Sequence, residues 1–534
     1  MKYSLAVLMI VVMGMGCGGN AAKQAPADVL RVNVGAEVAD LDPQLVTGVP
    51  EHRINSAIFE GLADLDMATM QPVPAAAASW DISPDGLVYT FHLRPEGKWS
   101  NGDPVTAADF VYSYERILSP KFAAEYAYML HCLKNAKAFN EGKITDFAQV
   151  GAKALDEHTL QLTLEHPTPY LLSMQMHQSW YPVQKKSVEK FGGMLDRFTK
   201  WTQAGNHVGN GPYRLAEWHP GEVIRVVKNE QYWDRDNVRI GEIAFYPISN
   251  LTTEERSFRS GALDMTESMP PMLVPKYKQE NPAVLHVEPY LGTYFYRLNT
   301  TKPPLDDKRV RQALSLAIDR SVITDSILKS GERPAYALVP LGMPGYEATA
   351  KLEEDVAKAK ALLAEAGYPD GKGLPEISVL YNTSEMHKTI AEALQSMWKE
   401  RLGINVTLTN QDWKVYLTTM QNLDYQVARG SWIADFMDPI NYLELFLSTG
   451  GNNQTGWKNE EYDRLINGAY AEPDAAKRTQ MMQQAEVLLM DELPCLPVYV
   501  YTFRYLQAER VKGFTPNPLG YRRWKSLSLA AAAA

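Results

Sequence analysis

The chain runs for 534 residues with no internal repeat, no low-complexity block and no long linker. That combination constrains the fold more than any motif does. The chain is too long for one hydrophobic core, so two or three lobes are expected. Without a linker, those lobes must be built by the chain crossing between them rather than by domains strung in series. Hydrophobic residues at 45% and charged residues at 22% are those of a soluble globular protein. The formal net charge of −10 is spread along the chain. No basic patch of the kind nucleic acid requires is present.

The N-terminus reads as an export signal. Met1-Lys2 supplies a short positive region, and Leu5 to Met13 form an apolar stretch too short to span a bilayer. Gly14-Met15-Gly16-Cys17 follows, then Gly18-Gly19-Asn20. The pattern is lipoprotein-like, with Cys17 as the lipidated residue; ordinary signal-peptidase cleavage nearby is the alternative. Residues 18–28 are small and polar and read as a tether. No later apolar run reaches membrane-spanning length. Cys132 and Cys495, 363 positions apart, offer no metal-ligand spacing, and either a disulfide or two buried free thiols is compatible with export.

From Val29 onward the pattern is mixed α/β. Leu30–Val34 and Leu87–Leu93 alternate as strands, the second after the turn Ser83-Pro84-Asp85-Gly86. Thr106 is placed to cap a helix through Phe110, Val111 and Tyr112. Helices are expected over Asp307–Arg320, over Asp355–Ala366 with Gly367 as the closing residue, and over His387–Leu402. A strand Ile404–Leu408 follows the last of these. The 28 Tyr and 11 Trp serve as core, and flat amphipathic rings also line small-ligand pockets.

Several stretches then carry a resemblance. They are Leu41-Asp42-Pro43 with Gly48-Val49-Pro50-Glu51, the run Trp99 to Ala107 with Asp109-Phe110-Val111-Tyr112, and Asn210-Gly211-Pro212-Tyr213. Asn229 to Trp233, Arg259-Ser260-Gly261 with Asp264, Asp307 to Arg320, and Tyr381-Asn382-Thr383-Ser384 continue the series. Each reads locally as a turn, a cap or a helix end. In order, from Val32 to Tyr521, they resemble the extracytoplasmic family 5 solute-binding proteins of ABC importers, nearest to the oligopeptide-binding members. The resemblance implies a type II periplasmic-binding-protein fold (cluster C), with two α/β lobes about a hinge plus an extra inserted lobe. The implied divisions are 29–60 with 186–292 and 503–530 for lobe I, 61–185 for the extra lobe II, and 293–502 for lobe III. It also implies a monomer on the outer face of the cytoplasmic membrane, lipid-anchored through Cys17. Such a protein hands peptides of roughly two to five residues to an ABC permease and needs no cofactor.

A receptor that tolerates many peptides must grip what all peptides share: an ammonium, a backbone and a carboxylate. On the family pattern Asp435 takes the ammonium, because a cation enclosed away from water is costly unless paired. Its alternative is a loop carboxylate or a helix N-cap. Ser431, Trp432 and Ile433 are expected to form a strand-like edge that pairs with the peptide main chain. Tyr126, Tyr501, Trp413 and Trp432 match positions lining the chamber, or else plain core. Val49 and Thr47 fall in the family's cleft motif. Arg429 and His387 match basic positions for the carboxylate end, the arginine through its planar fork and the histidine through charge near neutral pH. An interlobe salt bridge for Arg429 and a helix cap for His387 are the alternatives. Three residues depart from the pattern. Thr47 replaces an acidic residue and Met420 a basic one, while Arg297 stands in place of an acidic residue and is itself a possible carboxylate partner.

A secreted hydrolase is the alternative from another class, and no Gly-x-Ser-x-Gly, His-Glu-x-x-His or clustered Cys and His ligands support it. Within the binding class the alternatives are a metal chelate, haem or a glycan on the same fold. A receptor for one of those has no need of Asp435 beside Ser431-Trp432.

Overall fold

Three sheets carry the architecture, and the chain leaves and re-enters two of them. A computed structural model describes residues 28–530. The signal-like segment with Cys17, most of the tether, and residues 531–534 lie outside the described residues.

In the first sheet, Val29–Asn33 lies parallel to Glu242–Tyr246, which pairs antiparallel with Val223–Lys228 and through it with Tyr213–His219. Val29–Asn33 is buried at four of its five positions rather than half-buried, because the sheet is covered on both faces. Asp264 fastens this region. Its carboxylate accepts from Arg31 at 2.9 Å and from Arg510 at 2.7 Å, joining segments more than two hundred residues apart. Burial opposes its charge, yet these arginines hold its pKa below the usual carboxylate range.

The second sheet, of Ala77–Ile82, Val88–Leu93, Thr159–Thr163 and Ala152–Ala154, is antiparallel throughout. Beside it runs the helix Ala107–Leu118, which starts at a capping box. Asp109 accepts from the Thr106 amide at 2.8 Å, and the Thr106 side chain caps in return.

The third sheet orders its strands as Arg333–Pro334, Cys495–Leu506, Leu285–Leu298, Val427–Ile433, Ile377–Asn382 and Val406–Gln411. Leu285–Leu298 and Cys495–Leu506 are its long members and run antiparallel. Their register slips between Pro289 and Thr293 and again between Tyr294 and Phe295. Such bulges bend a strand and sharpen its twist. The halves before the slip pack with Met269 and Val274 near the first sheet, and the halves beyond it enter the core of the third. Both strands therefore cross the expected divisions at 292/293 and 502/503.

Several local expectations shift. The helix expected over Asp307–Arg320 is Lys308–Leu316, capped by Asp307. It stops there because the Arg320 guanidinium folds back onto Ser315, at 2.9 Å to the hydroxyl, and Asp319 starts a new turn by accepting from Ser321 and Val322. The strand expected at Ile404–Leu408 is Val406–Gln411, since Gly403, with φ 71°, still closes the preceding helix. That helix begins at Glu385 behind the N-cap Ser384. Cys132 and Cys495 are free and buried, so the disulfide alternative does not hold. Among the described residues no helix is long and apolar enough to cross a membrane.

Candidate ligand-binding cleft

The strand Val427–Ile433 is the axis of the site. One edge pairs antiparallel with Leu285–Leu298 along its whole length. On the other edge Ile377–Asn382 pairs only with Val427 and Ala428. From Arg429 to Ile433 that second edge has no strand beside it among the described residues. The amide of Ala434 donates to Leu291 on the paired side, while Tyr416 Oη donates to the Arg429 carbonyl on the other. Backbone groups alternate sides along an antiparallel strand, so the main-chain donors and acceptors of Ser431 and Ile433 face the open edge.

A cavity of about 140 Å³ lies along that edge. Thr47 and Val49 enter it from the start of the helix Val49–Ile58, where Gly48 is the N-cap. Trp413, at the start of the helix Trp413–Gln421, lines it beside Gly48 and stacks on Tyr416 with centroids 5.8 Å apart. Tyr126, from the short helix Glu125–Leu130, packs 6.0 Å from Trp432. Arg429, Ser431, Trp432, Ile433 and Asp435 form the strand wall, and Arg297 enters from the neighbouring strand. His387 and Tyr501 line a second cavity of about 290 Å³, which shares Val49, Trp413, Arg429, Ser431 and Ile433 with the first. All twelve positions expected from sequence thus fall on one continuous cleft.

Asp435 stands two residues beyond the strand end, its side chain 13% exposed. Asn441 clamps it: Nδ2 donates to its carboxylate at 3.3 Å, and Oδ1 accepts from its amide at 2.9 Å and from Trp432 Nε1 at 3.0 Å. Tyr521 donates to its carbonyl at 2.6 Å. The facing group is His177, with Nε2 3.5 Å from Oδ1. Burial, then the field of His52, holds His177 well below the usual histidine range, so it is neutral. No lysine or arginine reaches Asp435 within 4.0 Å among the described residues. Burial consequently pushes the acid up to about 7. This is a carboxylate lacking a cation.

Arg429 is its complement at the other end. The guanidinium donates to Tyr501 Oη at 2.8 Å, lies 4.9 Å over the Tyr294 ring and meets no carboxylate among the described residues. The interlobe salt-bridge alternative therefore fails. Burial opposes the charge, but surrounding tyrosine oxygens, Tyr501 first, leave its pKa raised. His387 does not supply a second charge. Burial and the adjacent Arg429 push it well below the usual range, so at neutral pH it is a neutral hydrogen-bonding group 3.5 Å from Tyr294 Oη.

Asn441, His177, His52 and Tyr521 escape sequence reading. His52 follows the Gly48 to Glu51 motif directly, a signal that points to it; the other three carry none.

The family described as bacterial extracellular solute-binding proteins, family 5 Middle, matches residues 71–454. The periplasmic oligopeptide-binding protein OppA of Escherichia coli K12 is 41% identical over 496 residues, covering 90% of this chain and 89% of that protein. Among solved structures, the murein tripeptide binding protein MppA of Escherichia coli superposes with a TM-score of 0.90 at 36% identity, covering 94% of this chain and 98% of that one. Its unliganded open form gives only 0.62 at 35% identity, covering 94% and 97%, so the lobes here are not in that open arrangement. OppA of Haemophilus influenzae, solved in complex with the peptide RPPGFSPFR, gives 0.89 at 36% identity, covering 94% and 99%. From the matched span and these full-length likenesses, the chain belongs to the bacterial extracellular solute-binding proteins of family 5.

Proposed function

We propose that this protein is the extracytoplasmic peptide-binding component of an ABC importer. The observation that carries the reading is Asp435, a largely buried carboxylate with no cation among the described residues, at the end of an open strand edge. A peptide laid along Ser431 and Ile433 as an added strand satisfies their main-chain groups. Its ammonium then meets Asp435 and its carboxylate points towards Arg429. From Asp435 to Arg429 the chain advances six residues, roughly 20 Å at strand spacing. Two side chains reaching inward leave room for roughly two to five extended residues. The peptide-bound relative supports the same ligand class.

The reading assigns three lobes, 29–60 with 186–292 and 503–530, then 61–185, then 293–502, closing about the bulged crossing strands. Closure is a population shift that a ligand favours by touching both sides of the cleft. A lipid on Cys17 would hold the monomer at the outer face of the cytoplasmic membrane beside its permease. No catalytic step is assigned to any residue.

The test is native mass spectrometry of the protein as isolated, followed by calorimetry with the ligand released. A mixture of short peptides is expected; a single glycan or metal chelate would overturn the reading.

A further inference from the structure

Arg297 is the unexplained charge of the cleft. It sits on Leu285–Leu298 opposite Ala428, 7% exposed, with its guanidinium 5.1 Å over the Phe295 ring. Among the described residues its Nε is buried without a partner, and no ion pair or hydrogen bond engages its terminal nitrogens. The neighbouring acid, Glu125, already accepts from the amides of Gln421 and Gln454.

Gly430 explains how this guanidinium reaches the ligand strand. A Cβ on Gly430 would sit 2.9 Å from Arg297 Nη1 and 2.7 Å from the Phe295 ring. Absence of a side chain there lets the guanidinium rest against the open-edged strand, in the cavity that Asp435 also lines.

Strand alternation separates the two arginines. Arg297, Phe295, Gly430 and Trp432 share one face of the sheet, while Arg429, Ser431 and Tyr294 share the other. Two cores mark the same division: Phe295 and Trp432 pack in one, Tyr294 and Tyr296 in the other. A peptide added at the open edge alternates in the same way, so only every second side chain turns towards Arg297. The group that answers a desolvated guanidinium is a carboxylate.

We infer that Arg297 makes this cleft select an acidic side chain at one interior position of its ligand. The inference rests on the peptide-binding reading above and adds to it a substrate class: short peptides carrying Asp or Glu inside the sequence.

The test is calorimetry on the full-length protein with alanine tetrapeptide amides carrying Glu or Gln at position 2 or 3, for the wild type and for Arg297→Gln and Arg297→Lys. At one of the two positions Glu should bind about tenfold or more tighter than Gln in the wild type. The ratio should fall to about one in Arg297→Gln and be partly kept in Arg297→Lys. Equal affinities at both positions in the wild type, or a Glu preference that survives Arg297→Gln, would overturn the inference. Should Arg297 hold the chain terminus instead, Arg297→Gln would weaken the free-acid alanine tetrapeptide and spare its amide, with no Glu preference at either position; that too overturns it. The unsubstituted alanine tetrapeptide separates the two readings. If it binds while the Glu effect is missing, only this inference fails; if no peptide binds, both fail. Should Arg297→Gln not fold, the wild-type Glu-to-Gln ratio and Arg297→Lys decide.

Discussion

Oδ1 of Asp435 lies 3.5 Å from Nε2 of His177, and the imidazole that faces the acid is neutral. The acid is therefore enclosed beside a hydrogen-bonding group that offers no charge. A ligand ammonium completes the site in a way the protein does not.

Asp435→Ala should abolish binding of alanine tripeptide while the protein stays folded. Leaving an enclosed ammonium unpaired costs about 3–5 kcal/mol, roughly a hundredfold or more in affinity. Calorimetry returning an unchanged Kd would refute the anchor.

Affinity should also depend on pH in a definite sense. In the empty protein Asp435 titrates at about 7 because burial disfavours its charge, whereas the complex requires it ionised. Binding should weaken about tenfold per unit as pH falls below 7. Above about 8 the peptide amine loses its proton and binding weakens again. Titrations from pH 5.5 to 9 should peak between 7 and 8, with proton release near pH 6.5. A flat profile would contradict the assignment.

The same shift makes a statement about stability. The pKa of Asp435 is raised in the folded, empty protein, so its contribution is favourable below about 4 and is lost as pH rises through about 7. Asp435→Asn removes that loss. At pH 8 it should stabilise the unliganded protein by up to about 4 kcal/mol while destroying ligand capture. Burial likewise raises Glu51, Glu125 and Glu486 to about 7 and Glu254 and Glu444 to about 8. Thermal unfolding of the empty wild type should accordingly give a higher Tm at pH 6 than at pH 8.5.

Arg429→Met probes the other end of the ligand. With a tripeptide acid the variant should bind about tenfold or more weakly, since a charge-assisted hydrogen bond is lost. With the tripeptide amide it should differ little from the wild type. Equal losses for acid and amide would show that the substitution acts through packing on Tyr294 and Tyr501.

Closure offers a separate handle. A Cβ on Gly451, in the turn that follows Glu444–Phe446, would lie 2.6 Å from the carbonyl of Glu125, the first residue of the short helix Glu125–Leu130. Gly451→Ala should oppose the closed arrangement and lower affinity for every peptide alike, leaving the Tm of the empty protein unchanged. Small-angle scattering with saturating peptide should show the variant less compact than the wild type. Identical curves would argue against closure at this contact.

Much of this was legible in the sequence, because caps and turns are local. Asp307, Asp355, Ser384 and Thr106 each begin a helix, and Gly367 and Gly403 adopt the positive φ that ends one. The residues from Arg429 to Asp435 are contiguous, so a single stretch of chain announced the strand wall and its acid. What escaped depends on register and approach. Asn441 gains its role only when a short turn brings its amide back to Asp435 and Trp432. His177 comes from a segment over two hundred residues away in the chain. The charge expected at His387 is lost first to burial and then to Arg429 beside it, and both are set by tertiary packing. The vacancy at Gly430 has meaning only once strand pairing sets it beside Arg297.

The open edge from Arg429 to Ile433 also has a cost when no ligand is present. An unpaired run of strand is a template for any extended chain, including another copy of this protein. The edge is short, and Arg429 and Asp435 stand at its two ends, a cation and an acid that a second apolar strand would have to desolvate. The charges that would recognise a correct guest therefore double as wardens against the wrong one.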